Sequence, residues 1–217
     1  MAPVSVLPLQ AKTAHVQGID TDGNHLWVTS VDRASRKGFL QEFAVSDGRL
    51  ERSVEIQDGH RFHPGGIAAD VDSIWIPVAE YRAKSTAVIQ RRNKRTLALE
   101  SQYAVDDHIG CIAVTPKFLI GGNWDSRDFY FWEHQGKLIR KVSSTTGNAY
   151  QDIKFRDGHV VGSGTLVGGP SRGRLAGSLD RLGPPPRAWE DRPFAALHAR
   201  RHDVVSRSPL AASGRRR

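Results

Sequence analysis

With 217 residues, the chain has room for one well-buried domain, or for one domain and a tail. Its net charge of +8 would ordinarily suggest nucleic acid or an acidic membrane as a partner. The excess is concentrated in residues 168–217, which hold 11 arginines and four acids, whereas residues 1–167 are nearly neutral. This distribution argues against a specific nucleic-acid-binding fold, in which basic residues alternate with aromatic ones on folded elements.

The single cysteine and the absence of long apolar stretches restrict the class of protein further. Cys111 excludes an internal disulfide framework and a thiolate metal cluster, and we expect it to be a buried, inert thiol. No stretch of 18 apolar residues exists, so we predict no membrane partner. The N-terminus lacks the basic and apolar regions of a signal peptide, which predicts a cytoplasmic protein. A start codon assigned too late would instead hide the signal of a secreted or periplasmic protein.

A short motif recurs four times along the chain. It reads HVQGI at 15–19, HPGGI at 63–67, HIGCI at 108–112 and AYQDI at 149–153, at spacings of 48, 45 and 41 residues. These periods are typical of a four-stranded propeller blade. A β-sandwich would also have short strands but would not repeat one motif, and no window shows the period of an amphipathic helix.

Turn residues and a short apolar strand follow each motif in chain order. The predicted strands are 26–28, 74–76, 118–120 and 160–161. The first unit has two more, 39–43 and 50–56, joined by Ser46-Asp47-Gly48. Trp27 and Trp75 occupy equivalent strand positions and should pack between units, while Gly65 and Gly66 should allow close backbone packing near the axis.

This pattern predicts an all-β fold. We expect an N-terminal extension at residues 1–14, then an incomplete β-propeller at residues 15–167, with three full blades and part of a fourth. Two open flanks would remain, which makes oligomerisation through blade edges an expected property.

Polar residues should collect on one face of this propeller. The innermost strand of a blade starts, and the next strand ends, at the same rim, and an acid stands 13 residues after the isoleucine of each of the first three motifs. An arginine follows each acid closely: Arg33, Arg82 and Arg127. The predicted rim consists of His15, Gln17, Asp32, His63, Glu80, His108, Asn123, Asp125, Gln151 and Asp152. No such accumulation is predicted for the other face.

Carboxylates and imidazoles that converge at a channel mouth can transfer protons, bind a cation or orient a substrate. The candidate catalytic residues are His63, Glu80, His108 and Asp125. Candidate substrate contacts come from His15, Gln17, Arg82, Asn123, Trp124, Arg127, Gln151 and Asp152. A divalent cation such as calcium would be held by Glu80, Asn123, Asp125 and Asp152. The alternative is structural: the histidines bond to backbone groups, and each acid forms an ion pair with its arginine.

Longer strings carry a family resemblance. At HPGGI (63–67), IWIPVAEYR (74–82), VDDHIG (105–110), NWDSRDFY (123–130) and YQD (150–152), the chain resembles a bacterial propeller family with a domain-of-unknown-function label. Its layout is more distantly similar to propellers of the gluconolactonase and strictosidine-synthase type, in which a divalent cation, usually calcium, sits in the channel. The second resemblance implies hydrolysis of a lactone or ester as a candidate activity.

Two classes of function therefore stay open. In the first, the rim binds, and in an enzyme hydrolyses, a small polar molecule. In the second, the propeller is a non-catalytic scaffold that docks a protein or peptide at the channel mouth. The sequence does not decide whether the protein is an enzyme.

The last fifty residues differ from the rest. From Gly168 onward the repeat stops and arginine, alanine, glycine, proline and serine dominate. Codons for this segment, shifted by one base, admit a sequence that resembles a further blade, so we predict that the segment is a frameshift product. An inactive, truncated gene product is then a further alternative for the function. A natural, disordered basic tail is the alternative.

Overall fold

The computed structural model describes residues 6–165 and 180–181, which form four antiparallel sheets. The first sheet contains β1 (His15–Thr21), β2 (His25–Asp32), β3 (Lys37–Ala44) and β4 (Leu50–Glu55). In the second, β5 (His63–Pro64) and β6 (Ala68–Ala69) both pair with β7 (Ser73–Ala79), followed by β8 (Ala87–Asn93) and β9 (Leu99–Val105).

The third and fourth sheets continue this order. The third contains β10 (Ile109–Val114), β11 (Leu119–Asn123), β12 (Asp128–Trp132) and β13 (Leu138–Ser143), with a 3-10 helix at Trp124–Ser126. The fourth contains β14 (Ala149–Arg156), β15 (His159–Thr165) and β16 (Asp180–Arg181). In the part of the chain that the structure describes, no helix has the length and apolar character needed to span a bilayer.

Turn chemistry explains why neighbouring strands form hairpins. In the turn between β1 and β2, the Asp22 carboxylate accepts hydrogen bonds from the backbone N–H groups of Asn24 and His25, at 3.0 and 2.9 Å. Gly23 has a φ of 93°, a left-handed conformation that favours glycine. The predicted hairpin between the first two strands is confirmed.

The sheets pack face to face through apolar side chains. Trp27 is 1% exposed and packs among Ile67 and Ile74 of the second sheet, while Trp75 is 3% exposed and packs with Ile109 and Trp132 of the third. The prediction that both tryptophans fill the space between units is therefore confirmed. Burial of these tryptophans, together with the aliphatic side chains around them, holds successive sheets together.

The innermost strands meet at a common axis, where glycines are required. The backbone N–H of Gly66 donates to the Gly110 carbonyl at 2.9 Å, and the N–H of Ile112 donates to the Gly66 carbonyl at 3.1 Å. A Cβ added at Gly65 would lie 2.1 Å from the Gly110 oxygen. The predicted close packing is confirmed, and so is the buried thiol of Cys111, whose pKa burial raises to about 12.

The first and fourth sheets also touch at the axis. The backbone N–H of Ile19 donates to the Asp152 carboxylate at 3.2 Å, and Arg156 pairs with Asp20 at 2.8 Å. These contacts join the start of the repeat to its fourth unit, so the four innermost strands surround one axis.

Three of the innermost strands carry a β-bulge at the same place. The register with the next strand shifts between Val16 and Gly18, between Ile109 and Cys111, and between Tyr150 and Asp152. The extra residues are Gln17, Gly110 and Gln151. A bulge turns a side chain away from the alternation of the strand, and bulges are common beside functional sites.

Two sequence predictions concern residues at the ends of the chain. The predicted N-terminal extension is described from residue 6, and Gln10 and Lys12 bond to the first sheet. The predicted tail at 168–217 lies outside the described residues, apart from strand β16. Its frame, its order and the number of blades in the complete protein stay predictions.

Candidate functional site

A cavity of about 270 Å³ opens on the axis at the face where the innermost strands begin. The structure brings eight of the predicted site residues together around it, seven of the predicted rim and the predicted substrate contact Trp124. They are His15, Gln17, His63, His108, Asn123, Trp124, Asp125 and Gln151. We call this cavity the histidine pocket. The bulges contribute directly, since Gln17, Gly110 and Gln151 all line it.

The other predicted rim residues are engaged elsewhere. Asp32 accepts hydrogen bonds within its own loop, from the N–H of Ala34 and the hydroxyl of Ser35 at 2.9 and 2.7 Å. Glu80 pairs with Arg82 at 2.8 Å, and this contact lowers the pKa of Glu80 to about 2. In the second unit, the acid and its arginine thus form the structural ion pair that the sequence left as an alternative.

Arg127 and Asp152 are also placed differently from the expected rim. Arg127 donates to the Trp124 carbonyl at 3.4 Å and does not line the histidine pocket. Asp152 lines a separate cavity between the first and fourth sheets, where Lys154 contacts it at 2.5 Å and burial raises its pKa to about 6. The four predicted cation ligands, Glu80, Asn123, Asp125 and Asp152, therefore do not line one cavity.

The amide of Gln17 links two imidazoles. Its Nε2 donates to Nδ1 of His15 at 2.5 Å, so its Oε1 accepts from Nε2 of His63 at 3.1 Å. This assigns the proton of His63 to Nε2, and Nδ1 of the same ring is buried without a partner among the described residues. Burial, and then the proximity of His108 and His15, lowers the pKa of His63 to about 4. His63 is therefore neutral near pH 7.

His108 is held in the opposite tautomer. Its Nδ1 donates to the backbone carbonyl of Arg82 at 2.8 Å, and the hydroxyl of Ser85 lies 3.1 Å away. The side chain is 2% exposed, and burial lowers the pKa of His108. Nε2 consequently carries a lone pair, and it has no hydrogen-bond partner among the described residues. Such a backbone contact fixes both the orientation and the tautomer of a histidine.

Aromatic rings form the walls of the pocket. Trp124 meets His108 edge to face, with ring centroids 4.7 Å apart at 88°, and Tyr81 lies 4.5 Å from His63. Asp125 and Ser126 have left-handed φ angles of 58° and 50°. Such angles cost roughly 1–3 kcal/mol each in residues other than glycine and occur often at functional sites. The exposed Asp125 carboxylate has no partner among the described residues.

Sequence reasoning missed Tyr81, Ser85 and Asp107. Asp107 accepts from the Asn123 amide at 2.9 Å and from the Tyr130 hydroxyl at 2.6 Å. Asn123 also accepts from the backbone N–H of Asp128, so both the nitrogen and the oxygen of its amide are engaged within the protein. Asp107 stands directly before the motif histidine, and Tyr81 stands between Glu80 and Arg82. Their positions next to predicted site residues are the only features of the sequence that could have indicated Asp107 and Tyr81.

The opposite face also has a polar cavity, of about 730 Å³. Asp70, Arg91, Lys94 and His134 line it, so the prediction that polar residues would not collect there was wrong. Two of these groups form hydrogen bonds within the protein: Asp70 accepts from the Trp75 indole at 2.9 Å, and His134 donates to the Thr115 carbonyl at 3.0 Å.

Solved structures with similar folds include natural and designed proteins. The Myxococcus xanthus glutaminyl cyclase has a TM-score of 0.55 and 14% identity, over 72% of this chain and 63% of that one. The Neurospora crassa Pan2 WD40 domain has a TM-score of 0.51 and 8% identity, over 70% and 44%. The computationally designed Ika4 protein has a TM-score of 0.50 and 13% identity, over 83% and 98%. The chain spans less than two thirds of both natural structures.

These likenesses confirm the all-β, propeller-type fold that the repeat predicts. A comparison with curated proteins finds no match. The resemblance to gluconolactonase-type propellers stays a prediction.

One family, by contrast, accounts for most of the chain. Its profile matches residues 2–183, which include all four motif repeats and every residue of the histidine pocket. The chain therefore belongs to the family described as "Family of unknown function (DUF6454)".

Proposed function

We propose that the histidine pocket binds a small polar molecule that donates a hydrogen bond to Nε2 of His108. The observation that supports this proposal is the unused lone pair of His108 at the wall of a cavity. Nε2 is accessible from the cavity although the ring as a whole is nearly buried, so a ligand or an ordered water in the cavity can donate to it.

The size of the pocket favours a small molecule over a peptide. Ligand pockets commonly measure about 300–1,000 Å³, and the histidine pocket, at about 270 Å³, lies just below this range. Tyr81 and Trp124 supply apolar contact area, while His108 and Asp125 supply acceptors. This combination of aromatic walls and a few polar groups is usual for small-molecule sites.

A substitution at His108, compared with a matched one at His134, tests the proposal. His134 also bonds to a backbone carbonyl, but it lies at the opposite face of the propeller. We expect small alcohols, amides, amines and carboxylic acids to shift the indole N–H signal of Trp124 in NMR spectra. His108→Phe should raise the dissociation constants obtained from these shifts at least about tenfold, as expected for loss of a hydrogen bond worth about 1.4 kcal/mol. His134→Phe should leave them unchanged.

Two outcomes would contradict the proposal. If no compound shifted the Trp124 signal, the pocket would not bind small molecules of these classes. If the shifts persisted in His108→Phe, another group would hold the ligand.

Hydrolysis of a lactone or ester is a second candidate function at the same pocket. A neutral imidazole whose tautomer is fixed can accept a proton from water and so promote its attack on a carbonyl group. The fixed Nδ1–H of His108 favours this candidate. The same two variants test it, because ester hydrolysis should fall in His108→Phe and persist in His134→Phe.

Calcium binding is predicted to be weak or absent. Calcium needs six to eight oxygen ligands, and the predicted ligands Glu80 and Asp152 lie outside the histidine pocket. We expect millimolar calcium to change the melting temperature by less than about 1 °C, measured by differential scanning fluorimetry with EDTA as the reference. A clear rise that is lost in Asp125→Asn would instead support the predicted cation.

A further inference from the structure

We infer that the molecule bound in the histidine pocket carries an anionic group, a carboxylate or a phosphate, which Arg33 recognises. This inference rests on the proposed function, because it names the chemical class of the same ligand. Its basis is the placement of Arg33 beside the pocket, together with the contrast between Arg33 and the other arginines of this rim.

Arg33 does not itself line the histidine pocket, but it stacks on Tyr81, which does. Its guanidinium carbon is 5.2 Å from the centroid of the Tyr81 ring, within the range of a cation–π contact. The guanidinium of Arg33 makes no hydrogen bond or ion pair among the described residues besides this contact. Arginine is well suited to binding a carboxylate or phosphate, since its N–H groups match two oxygens at once.

Arg127 also has no carboxylate partner among the described residues, but it donates to the Trp124 carbonyl and does not line the pocket. Two other arginines near this rim are already neutralised. Arg82 pairs with Glu80 and Arg61 pairs with Asp58, both at 2.8 Å. Arg33 is exposed and has no carboxylate partner among the described residues. The neighbouring Asp32 does not provide one, because its oxygens accept from Ala34 and Ser35. Arg33 is therefore a better candidate to contact an anionic ligand than Arg82, which the sequence suggested as a substrate contact.

The other polar groups of the pocket indicate what the part of the ligand away from Arg33 must carry. His63 and His108 are neutral, and the Asp125 carboxylate is unpaired among the described residues. An anion beside Tyr81 and Arg33 would leave the lone pair of His108 and the carboxylate of Asp125 to accept from an O–H or N–H group. The ligand class that satisfies both ends is a small hydroxy or amino acid, or a phosphate with a hydroxyl group.

Two probes of equal shape separate charge from polarity. We would titrate the full-length protein with 4-hydroxybenzoate and with 4-hydroxybenzamide, and follow the indole N–H signal of Trp124, assigned with Trp124→Phe. The indoles of Trp27 and Trp75 serve as internal references, since both are bonded to buried or partly buried carboxylates. A third titration, with phenyl phosphate, compares the two anionic groups.

The wild-type protein should bind 4-hydroxybenzoate about two- to fivefold more tightly than the amide, as expected for an exposed ion pair. Arg33→Gln should abolish this preference without weakening the amide. Arg36→Gln is the matched control, because Arg36 stacks in the same manner on Phe62, at 5.3 Å, which does not line the pocket. It should keep the preference.

Each result decides the inference. Equal binding of benzoate and amide by the wild type would overturn the anionic group while the proposed function stands. A preference that survives in Arg33→Gln would remove Arg33 as the recognising residue. If no probe moved the Trp124 signal, both the inference and the proposed function would fail. Tighter binding of phenyl phosphate than of 4-hydroxybenzoate would identify the anionic group as a phosphate.

Discussion

Gly65→Ala is expected to destabilise the protein by about 3 kcal/mol, near the upper end of the range for overpacked cores. The added Cβ would lie 2.1 Å from the Gly110 carbonyl oxygen and 2.6 Å from its carbon. Both atoms belong to the backbone of the neighbouring innermost strand, so no side chain can rotate to make room. Separation of these strands would also stretch the hydrogen bond from Gly66 to Gly110.

Gly110→Ala is the matched control for this prediction. A Cβ at Gly110 would meet its nearest atom, the Asn123 oxygen, at 3.9 Å, an ordinary contact distance. We expect a change of less than about 1 kcal/mol. Urea unfolding followed by tryptophan fluorescence measures both values, and similar midpoints for the two variants would show that the axis is not closely packed.

Glu42→Gln is expected to destabilise the protein by about 2 kcal/mol. Glu42 is 2% exposed and accepts from the Trp27 indole at 2.7 Å and from Arg52 at 2.5 and 3.1 Å. Glutamine keeps the shape but removes the charge, and its NH2 group would face an N–H donor of Arg52 at either oxygen position, where no hydrogen bond can form. The loss of one partner of a buried charged pair leaves the other without compensation. Arg52 is one-third exposed, so water can solvate part of its charge.

Glu51→Gln makes the same chemical change on the surface of the neighbouring strand. Its exposed carboxylate contacts Arg49 at 3.5 Å, and pairs of this kind contribute about 0–1 kcal/mol. The difference between the two variants should therefore exceed about 1 kcal/mol in the free energy of unfolding. A smaller difference would mean that the Glu42 carboxylate contributes no more than a surface ion pair.

At the rim, the structure agrees with one part of the sequence prediction and differs from another. The motif predicted that His15, His63 and His108 would meet, because strands at equal positions in a repeat begin at the same face. It also placed Asp152 on that face, where the structure does not. The bulge at Gln151 turns that side chain into the pocket, and Asp152 then packs against Lys154 between the first and fourth sheets. A bulge depends on pairing with the next strand, and no local pattern revealed it.

The sequence by itself determined the repeat, the strands, the glycines at the axis and the tryptophans between sheets. These features follow from spacing, turn chemistry and side-chain size, all of which act locally or recur in each unit. The tertiary structure alone decided which charges are free. Glu80 and Arg82 neutralise each other, whereas Arg33 stacks on Tyr81 of the second sheet without a carboxylate partner in the described chain. The Glu80–Arg82 pair lies within one loop and was an alternative that the sequence left open, whereas the position of Arg33 depends on the distance between two units, which a sequence of residue types does not contain.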